Sequence, residues 1–283
     1  MSSGQLEEIL EGVRTGKIVP YLGPGVLADV TSAVDGSPIP AEDEALILAM
    51  NGGQPLNRKL MEEFPRAAMH LELKKGRKFL TNFLFNLYDT TRWTGGAVHE
   101  WLAALGLPYV IDTNRDLRLQ DLYANRPHTL VAGIARIAGT DYRFRLWEHD
   151  GAEYRAIDLD AVNSALPVLF KPLGTPRPDA TYIASDADFV DYITELMGGF
   201  AVPHFVKQSR QDKRYLVMGL RLTRDTQRMI LSDLIVDAAS PAGWVLIANP
   251  TAKERRYCES KNLEIVECGI GDLLAAAASQ SIS

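Results

Sequence analysis

Residues 215–267 read YLVMGLRLTRDTQRMILSDLIVDAASPAGWVLIANPTAKERRYCESKNLEIVE. Tyr215-Leu-Val-Met218 is a short apolar run, and a helical pattern follows from Asp225 to about Val236. Trp244-Val-Leu-Ile-Ala248 is a second apolar run, followed by a helix from Thr251 to about Ser260. Leu263-Glu-Ile-Val-Glu267 is a third run of the same kind. Near-continuous apolar runs bounded by turn residues suit strands buried on both faces. Strands that alternate with helices imply parallel pairing through right-handed crossovers.

The same rhythm extends toward the N-terminus. Leu6, Ile9, Leu10 and Val13 share one helix face, and Lys17–Leu22 then reads as a strand despite Pro20, with Gly23-Pro24-Gly25 as its turn. Helical patterns cover Glu42–Met50, Leu56–Leu71, Arg77–Tyr88 and Ala97–Leu105. Tyr109–Asp112 is a strand, and Thr129–Ala138 reads as a helix. Tyr142–Trp147 and Tyr154–Ile157 alternate around the turn signal Asp150-Gly151, which predicts an antiparallel hairpin projecting as a small insertion. Val168–Lys171 is a strand. Ser185 and Asp188 then resemble a capping box before a helix face of Phe189, Val190, Ile193, Leu196 and Met197. Asp272–Ala278 is the last helix. The expectation is a single α/β domain over residues 1–283, a Rossmann-like parallel sheet of about six strands. It would carry a helical insertion at about 40–105 and a small β insertion at about 140–160.

Composition narrows the function. Apolar residues make up 46% of the 283, enough for a large core. The net charge of −6 repels a phosphate backbone, which disfavours broad nucleic-acid binding. Cys258 and Cys268 are too few for a zinc site or a disulfide framework, so a reducing cytoplasm fits best and no metal is expected. The N-terminal segment lacks the apolar run of a signal peptide, and no stretch approaches a membrane span.

In a sheet of this kind ligands bind beyond the carboxyl ends of the strands, near the switch point of strand order. Gly23-Pro24-Gly25 stands at the first strand end, where glycines let the backbone approach a pyrophosphate, although a lone G-x-G also marks an ordinary turn. Asp112-Thr113-Asn114-Arg115-Asp116 follows the second strand, with side chains suited to ribose hydroxyls or to an Asx turn. Lys171-Pro172-Leu173-Gly174 offers no proton-transfer group except Lys171. Gly219 to Asp225 holds a glycine and two arginines, suited to phosphate or to a helix start, and Asn249-Pro250-Thr251 suits a ribose contact or a helix start.

In this order the motifs resemble the sirtuin superfamily, in its bacterial sirtuin-like branch. Gly23-Pro-Gly-Val-Leu27 is similar to the family's G-A-G-x-S, Asp112-Thr-Asn-Arg-Asp116 to T-Q-N-I-D, and Lys171-Pro-Leu-Gly174 to K-L-H-G. Gly219 to Asp225 resembles G-x-S-L-x-D, and His99-Glu-Trp-Leu-Ala-Ala-Leu105 matches H-x-x-L-A-x-L. The resemblance spans roughly residues 6 to 279. It implies NAD as cofactor, with Gly23 and Gly25, flanked by Pro24, on the pyrophosphate. Asn114, beside Thr113, would hold the nicotinamide ribose and help nicotinamide leave. Asp116 would support the loop or the nicotinamide, Gly219 would line the nucleotide, and Asn249 would meet the adenosine ribose.

The family's general base does not carry over, because Leu173 stands where the histidine of K-L-H-G would be. General base catalysis contributes about 10²–10⁴-fold, so family chemistry should be impaired. Leu27 replaces the serine of the glycine turn, Pro24 removes one N–H, and the four zinc-ribbon cysteines are absent. Of the other histidines, His99 reads as structural and His149 as solvated beside the hairpin turn, while His128 and His204 sit in loop-like sequence near prolines. The reading is an NAD or ADP-ribose binding protein that acts as a nucleotide sensor. An active NAD glycohydrolase (NADase) or a scaffold that keeps only the fold are the alternatives. Neither nucleic acid nor membrane is expected as a partner, while a homo-oligomer or an operon partner protein stays open.

Overall fold

The computed structural model describes residues 3–135 and 142–280. Its central sheet has nine strands: β1 Ile18–Leu22, β2 Tyr109–Asp112, β3 Pro127–Gly133, β4 Phe144–Asp150, β5 Tyr154–Ala156, β6 Val168–Lys171, β7 Arg214–Met218, β8 Gly243–Leu246 and β9 Leu263–Val266. They lie in the order β9-β8-β7-β1-β2-β6-β3-β4-β5. Pairing is parallel from β9 through to β3, and antiparallel for β3–β4 and β4–β5.

Eleven α-helices accompany the sheet among the described residues. They are α1 Ser3–Arg14, α2 Asp43–Met50, α3 Phe64–Lys75, α4 Arg77–Phe85, α5 Ala97–Leu105, α6 Arg118–Tyr123, α7 Asp186–Gly198, α8 His204–Ser209, α9 Asp225–Leu234, α10 Ala252–Ser260 and α11 Ile270–Gln280. Successive strand residues face opposite ways, so β2 sends Val110 into one core and Tyr109 and Ile111 into the other. Leu10 and Val13 of α1, Leu102 of α5 and Leu273 of α11 join the first core. Tyr192 and Ile193 of α7 and Leu231 of α9 join the second. Helices thus cover both sheet faces, which is why the central strands read as unbroken apolar runs. Pro20 is accommodated because the β1–β2 ladder begins only at Tyr21.

The six strands expected for the parallel sheet are all present, with ends that shift by a residue or two. Two expectations are corrected. Thr129–Ala138 is not a helix: its first residues belong to β3, buried from His128 onward, and residues 136–138 lie outside the described part. Short apolar runs look alike to helical and strand periodicity, and here the sheet edge beside β6 decides. The hairpin turns at Asp150-Gly151 as expected but does not project. With β3 as a strand, β4 finds an edge to pair with, so β4 and β5 extend the main sheet to nine strands.

The helix expected over Leu56–Leu71 begins only at Phe64, with Pro65 in its first turn, and runs to Lys75. Val190 and Met197 are 68% and 69% exposed, so the buried stripe of α7 is narrower than its apolar pattern. Asp188 accepts the Ser185 amide at 3.0 Å, one half of the expected capping box. No helix of the described residues is long and apolar enough to cross a membrane.

Candidate functional site

Strand order reverses at β1: the chain moves from β1 through β2 toward β6, then returns to the other side of β1 as β7 and continues outward to β9. Beyond the carboxyl ends of β1, β2, β6 and β7 lies a crevice with about 80 Å³ of enclosed free volume, at the place where ligands bind in sheets of this kind. Its floor comes from the strand-end turns and carries Pro24, Thr113, Asn114, Arg115, Leu173 and Leu220. Its opposite wall comes from the helical segment, through Asp43 and Leu46 of α2, Phe64 of α3 and Tyr88. Thr226, Gln227 and Ile230 of α9 close one side.

The turn after β2 is held from below. Thr113 donates its hydroxyl to the Leu22 carbonyl at 2.7 Å. Asn114 donates through Nδ2 to the Gly23 carbonyl at 3.1 Å and to Asp112 Oδ1 at 3.0 Å, and its backbone N–H reaches the same Oδ1 at 3.0 Å. The other oxygen of Asp112 takes Lys171 Nζ at 2.7 Å, with both side chains 1% exposed. Asp112 and Lys171 therefore form a buried ion pair that fixes Asn114 from behind. Asp116 is fully buried: Oδ1 accepts the Arg118 amide at 2.7 Å, an Asx turn that starts α6, while Oδ2 has no partner among the described residues.

The glycines have a different setting. Gly23 N donates to the Met218 carbonyl at 2.8 Å, Gly25 N to the Gly219 carbonyl at 2.8 Å, and Val26 N to the Gly23 carbonyl at 3.2 Å. Gly219 has φ +66°, and a Cβ there would stand 2.4 Å from Val26 N. Cβ atoms on Gly23 and Gly25 would meet the backbone of Gly219 and Leu220. The turns after β1 and β7 thus pack backbone on backbone, and their glycines permit that approach. The N–H groups of Gly23 and Gly25 are already donated, and Pro24 has none.

Asn249 is exposed and is not part of the crevice wall. The loop beside it is organised by Glu254, fully buried, which accepts from the amides of Leu222 and Thr251 and from Arg221 at 2.9 Å. Burial pushes the Glu254 carboxyl up, but the hydrogen bonds from Arg221 and Thr251 outweigh it and hold it below the usual range. In the crevice, burial pushes the Asp43 carboxyl up, against the Phe64 amide and the charges of Arg224 and Arg115. Burial also pulls the Arg115 guanidinium below its usual range.

No histidine lines the crevice. His99 is buried in α5, as its structural reading requires, and His204 is exposed at the start of α8. His149 is 4% exposed rather than solvated, and it stacks on His128 with ring centroids 4.9 Å apart. His128 lies in β3, not a loop, and Nε2 stands 2.8 Å from the Tyr154 hydroxyl. Strand β3 carries His128 and β4 carries His149 directly opposite it, so the two rings lie on the same face of the sheet. Among the described residues no group of three or more His, Cys, Asp or Glu side chains is placed to hold a metal ion.

Sequence reasoning missed two parts of this site. The Asp112–Lys171 pair spans 59 residues, so spacing could not reveal it. Arg115 occupied a variable position within a motif and drew no notice. In sequence, the helical segment between Glu42 and Leu105 is open to two readings, a cover over the crevice or an interface, and the structure places its Asp43, Leu46, Phe64 and Tyr88 on the crevice wall.

The family model for the SIR2-like domain matches residues 108–266, more than half of the chain. The chain belongs to the SIR2-like domain family. No curated protein gives a match to it. The matched span runs from β2 to β9, so it holds the turn of Asn114, Leu173 and Gly219. The glycine turn after β1, helices α2 and α3 and Tyr88, which supply much of the crevice wall of this SIR2-like domain, lie before it.

Proposed function

We propose that this SIR2-like domain binds an NAD- or ADP-ribose-type ligand in the crevice and holds it without cleaving it, as a nucleotide sensor or regulatory module. The supporting observation is Leu173. It lines the crevice with Asn114, at the position of the family's general base, and no histidine stands on the same wall to replace it. SIR2-like domains generally bind NAD. Asp116 Oδ2 is buried and without a partner among the described residues directly behind the turn of Asn114, so it would support that turn, and it could accept a carboxamide N–H₂ only if the turn moved to expose it. Asn114 and Thr113 on the floor would face the adjoining ribose. The amides of the glycine turn, by contrast, are spent on backbone carbonyls and do not fit a pyrophosphate as they stand.

In this role the chain's residues bind, orient and exclude water. Asp112 and Lys171 hold the Asn114 amide in one orientation, and Phe64, Leu46 and Tyr88 cover the crevice with apolar surface. When bound, NAD supplies a glycosidic bond that nicotinamide can leave. Leu173 has no proton to give or take at that point.

One observation favours a second reading, an active NAD glycohydrolase. Asp43 is a crevice carboxyl whose pKa burial raises, in the direction of a general base. Calorimetry with NAD and ADP-ribose, combined with chromatography of the mixtures, separates the two. The proposal expects heat of binding, a thermal shift and recovery of intact NAD. A ligand at about 100 times its dissociation constant adds about 2.7 kcal/mol of stability. Nicotinamide release that vanishes in Asp43→Asn would establish the hydrolase instead, and the absence of any shift with both ligands would overturn the binding reading.

A further inference from the structure

The crevice contains a cation that the fold does not neutralise by contact. Arg115 is 9% exposed and stands on the crevice floor. Nε and Nη2 both donate to the Ile183 carbonyl, the former at 3.0 Å, and the guanidinium lies 5.6 Å from the centroid of the Phe64 ring. Those are its hydrogen bonds among the described residues, so Nη1 keeps both of its hydrogens. No carboxylate of the described residues comes within the 4.0 Å of an ion pair; Asp43 and Asp188 act on it from farther away, together with the phenols of Tyr88 and Tyr182.

Three other buried charges among the described residues are paired directly, whereas Asp116 beside Arg115 has no ion pair. Lys171 meets Asp112 at 2.7 Å, Glu254 meets Arg221 at 2.9 Å, and Asp188 meets Arg77 at 2.5 Å. A buried charge without a contact partner is costly, and a fold that keeps one beside an open crevice leaves a place for an anion. A planar guanidinium with free, fixed donors matches the oxygens of a phosphate.

Arg224 lines the same crevice, and its nearest carboxylates, Glu62 and Glu63, are 3.8 and 4.0 Å away, too far for hydrogen bonds. Beside it, α9 presents its first turn through Thr226 and Gln227. The glycine turn offers no such donors, since Gly23 N and Gly25 N are occupied and Pro24 has none.

We propose that Arg115, with Arg224, is the phosphate anchor of this crevice, in place of the glycine-turn amides. A phosphorylated ligand is held by phosphate oxygens against the free edge of the Arg115 guanidinium. The identity of that ligand as a dinucleotide rests on the proposed function. The anion site itself does not, and inorganic pyrophosphate serves as the probe.

Calorimetry with pyrophosphate on the full chain is the test, with Arg115→Gln, Arg115→Lys and Arg224→Gln as variants and the exposed Arg14→Gln as control. Wild type and Arg14→Gln should bind alike. Arg115→Gln should lose at least tenfold in affinity, and Arg224→Gln several-fold. Arg115→Lys, which keeps the charge but not the fork, should fall between wild type and Arg115→Gln; with Arg224→Gln it carries the test if Arg115→Gln does not fold. Absence of pyrophosphate binding by wild type, or equal affinities across the variants, would overturn the proposal. ADP-ribose and NAD are then titrated against the same set. If pyrophosphate binds through Arg115 and neither nucleotide binds, the dinucleotide reading fails and the anion site stands. If ADP-ribose binds the variants as it binds wild type, the dinucleotide reading stands and the anchor fails.

Discussion

Gly219→Ala tests whether the glycine turns exist to pack on each other. Gly219 has φ +66°, and an added Cβ would stand 2.4 Å from Val26 N, 2.8 Å from the Gly25 carbonyl carbon and 2.9 Å from Val26 Cγ1. Two costs combine. A left-handed conformation for a residue with a Cβ costs about 1–2 kcal/mol. Displacing the turn after β1 to relieve the contacts adds about 1–3 kcal/mol, as for an overpacked core. The expected loss is therefore about 2–5 kcal/mol. Gly36→Ala supplies the control, because Gly36 has φ +71° and nothing within 4 Å of its Cβ position. It should lose only the conformational part, about 1–2 kcal/mol. Urea unfolding of wild type and both variants, compared at equal slope, measures the difference directly. In a domain near this size each kcal/mol moves the Tm by about 2–4 °C. Equal losses in the two variants would refute the reasoning, since the Cβ of residue 219 would then project into open space as it would in a phosphate cradle.

Further outcomes follow from the other buried groups. Burial lowers the His128 pKa from 6.5 to about 4, against the hydrogen bond to the Arg126 carbonyl. The neutral form is favoured in the folded state, so this stability is complete above about pH 6.5 and is lost as pH falls toward 4. The loss amounts to about 3 kcal/mol, and His128→Phe should flatten that part of a stability-versus-pH curve measured with urea. Lys171→Met leaves Asp112 buried without its counterion and should cost about 3–5 kcal/mol. Adding Asp112→Asn should recover part of it, which a double-mutant cycle reads as a coupling energy. Leu173→His places an imidazole on the crevice wall beside Asn114 and should raise nicotinamide release from NAD at least tenfold above wild type, by chromatography.

The sheet was legible where strands are buried on both faces. Val110 and Ile111, or Leu216 and Val217, read as strand because nothing polar interrupts them. The same property misled at Thr129–Ala138, where an apolar run fits helix and strand alike and the open edge of β6 decides. The α5 helix was read to its bounds, because Gly106 stops it in a left-handed conformation and Pro108 follows. At the site, sequence supplied the strand-end turns and Leu173. It could not supply what meets across the chain: Lys171 on Asp112, the Gly219 turn on Gly25, or α2 and α3 over the crevice. Arg115 was hidden for another reason, since its meaning lies in the absence of a carboxylate at contact distance, and only coordinates show that.

The central claim is binding without turnover, with Leu173 where a base would stand. The most direct measurement incubates the purified chain with an equal concentration of NAD, separates bound from free nucleotide, and quantifies nicotinamide in both fractions over hours. The account predicts intact NAD in the bound fraction and no nicotinamide above a protein-free control. Nicotinamide that accumulates with wild type and is abolished by Asn114→Ala would contradict it.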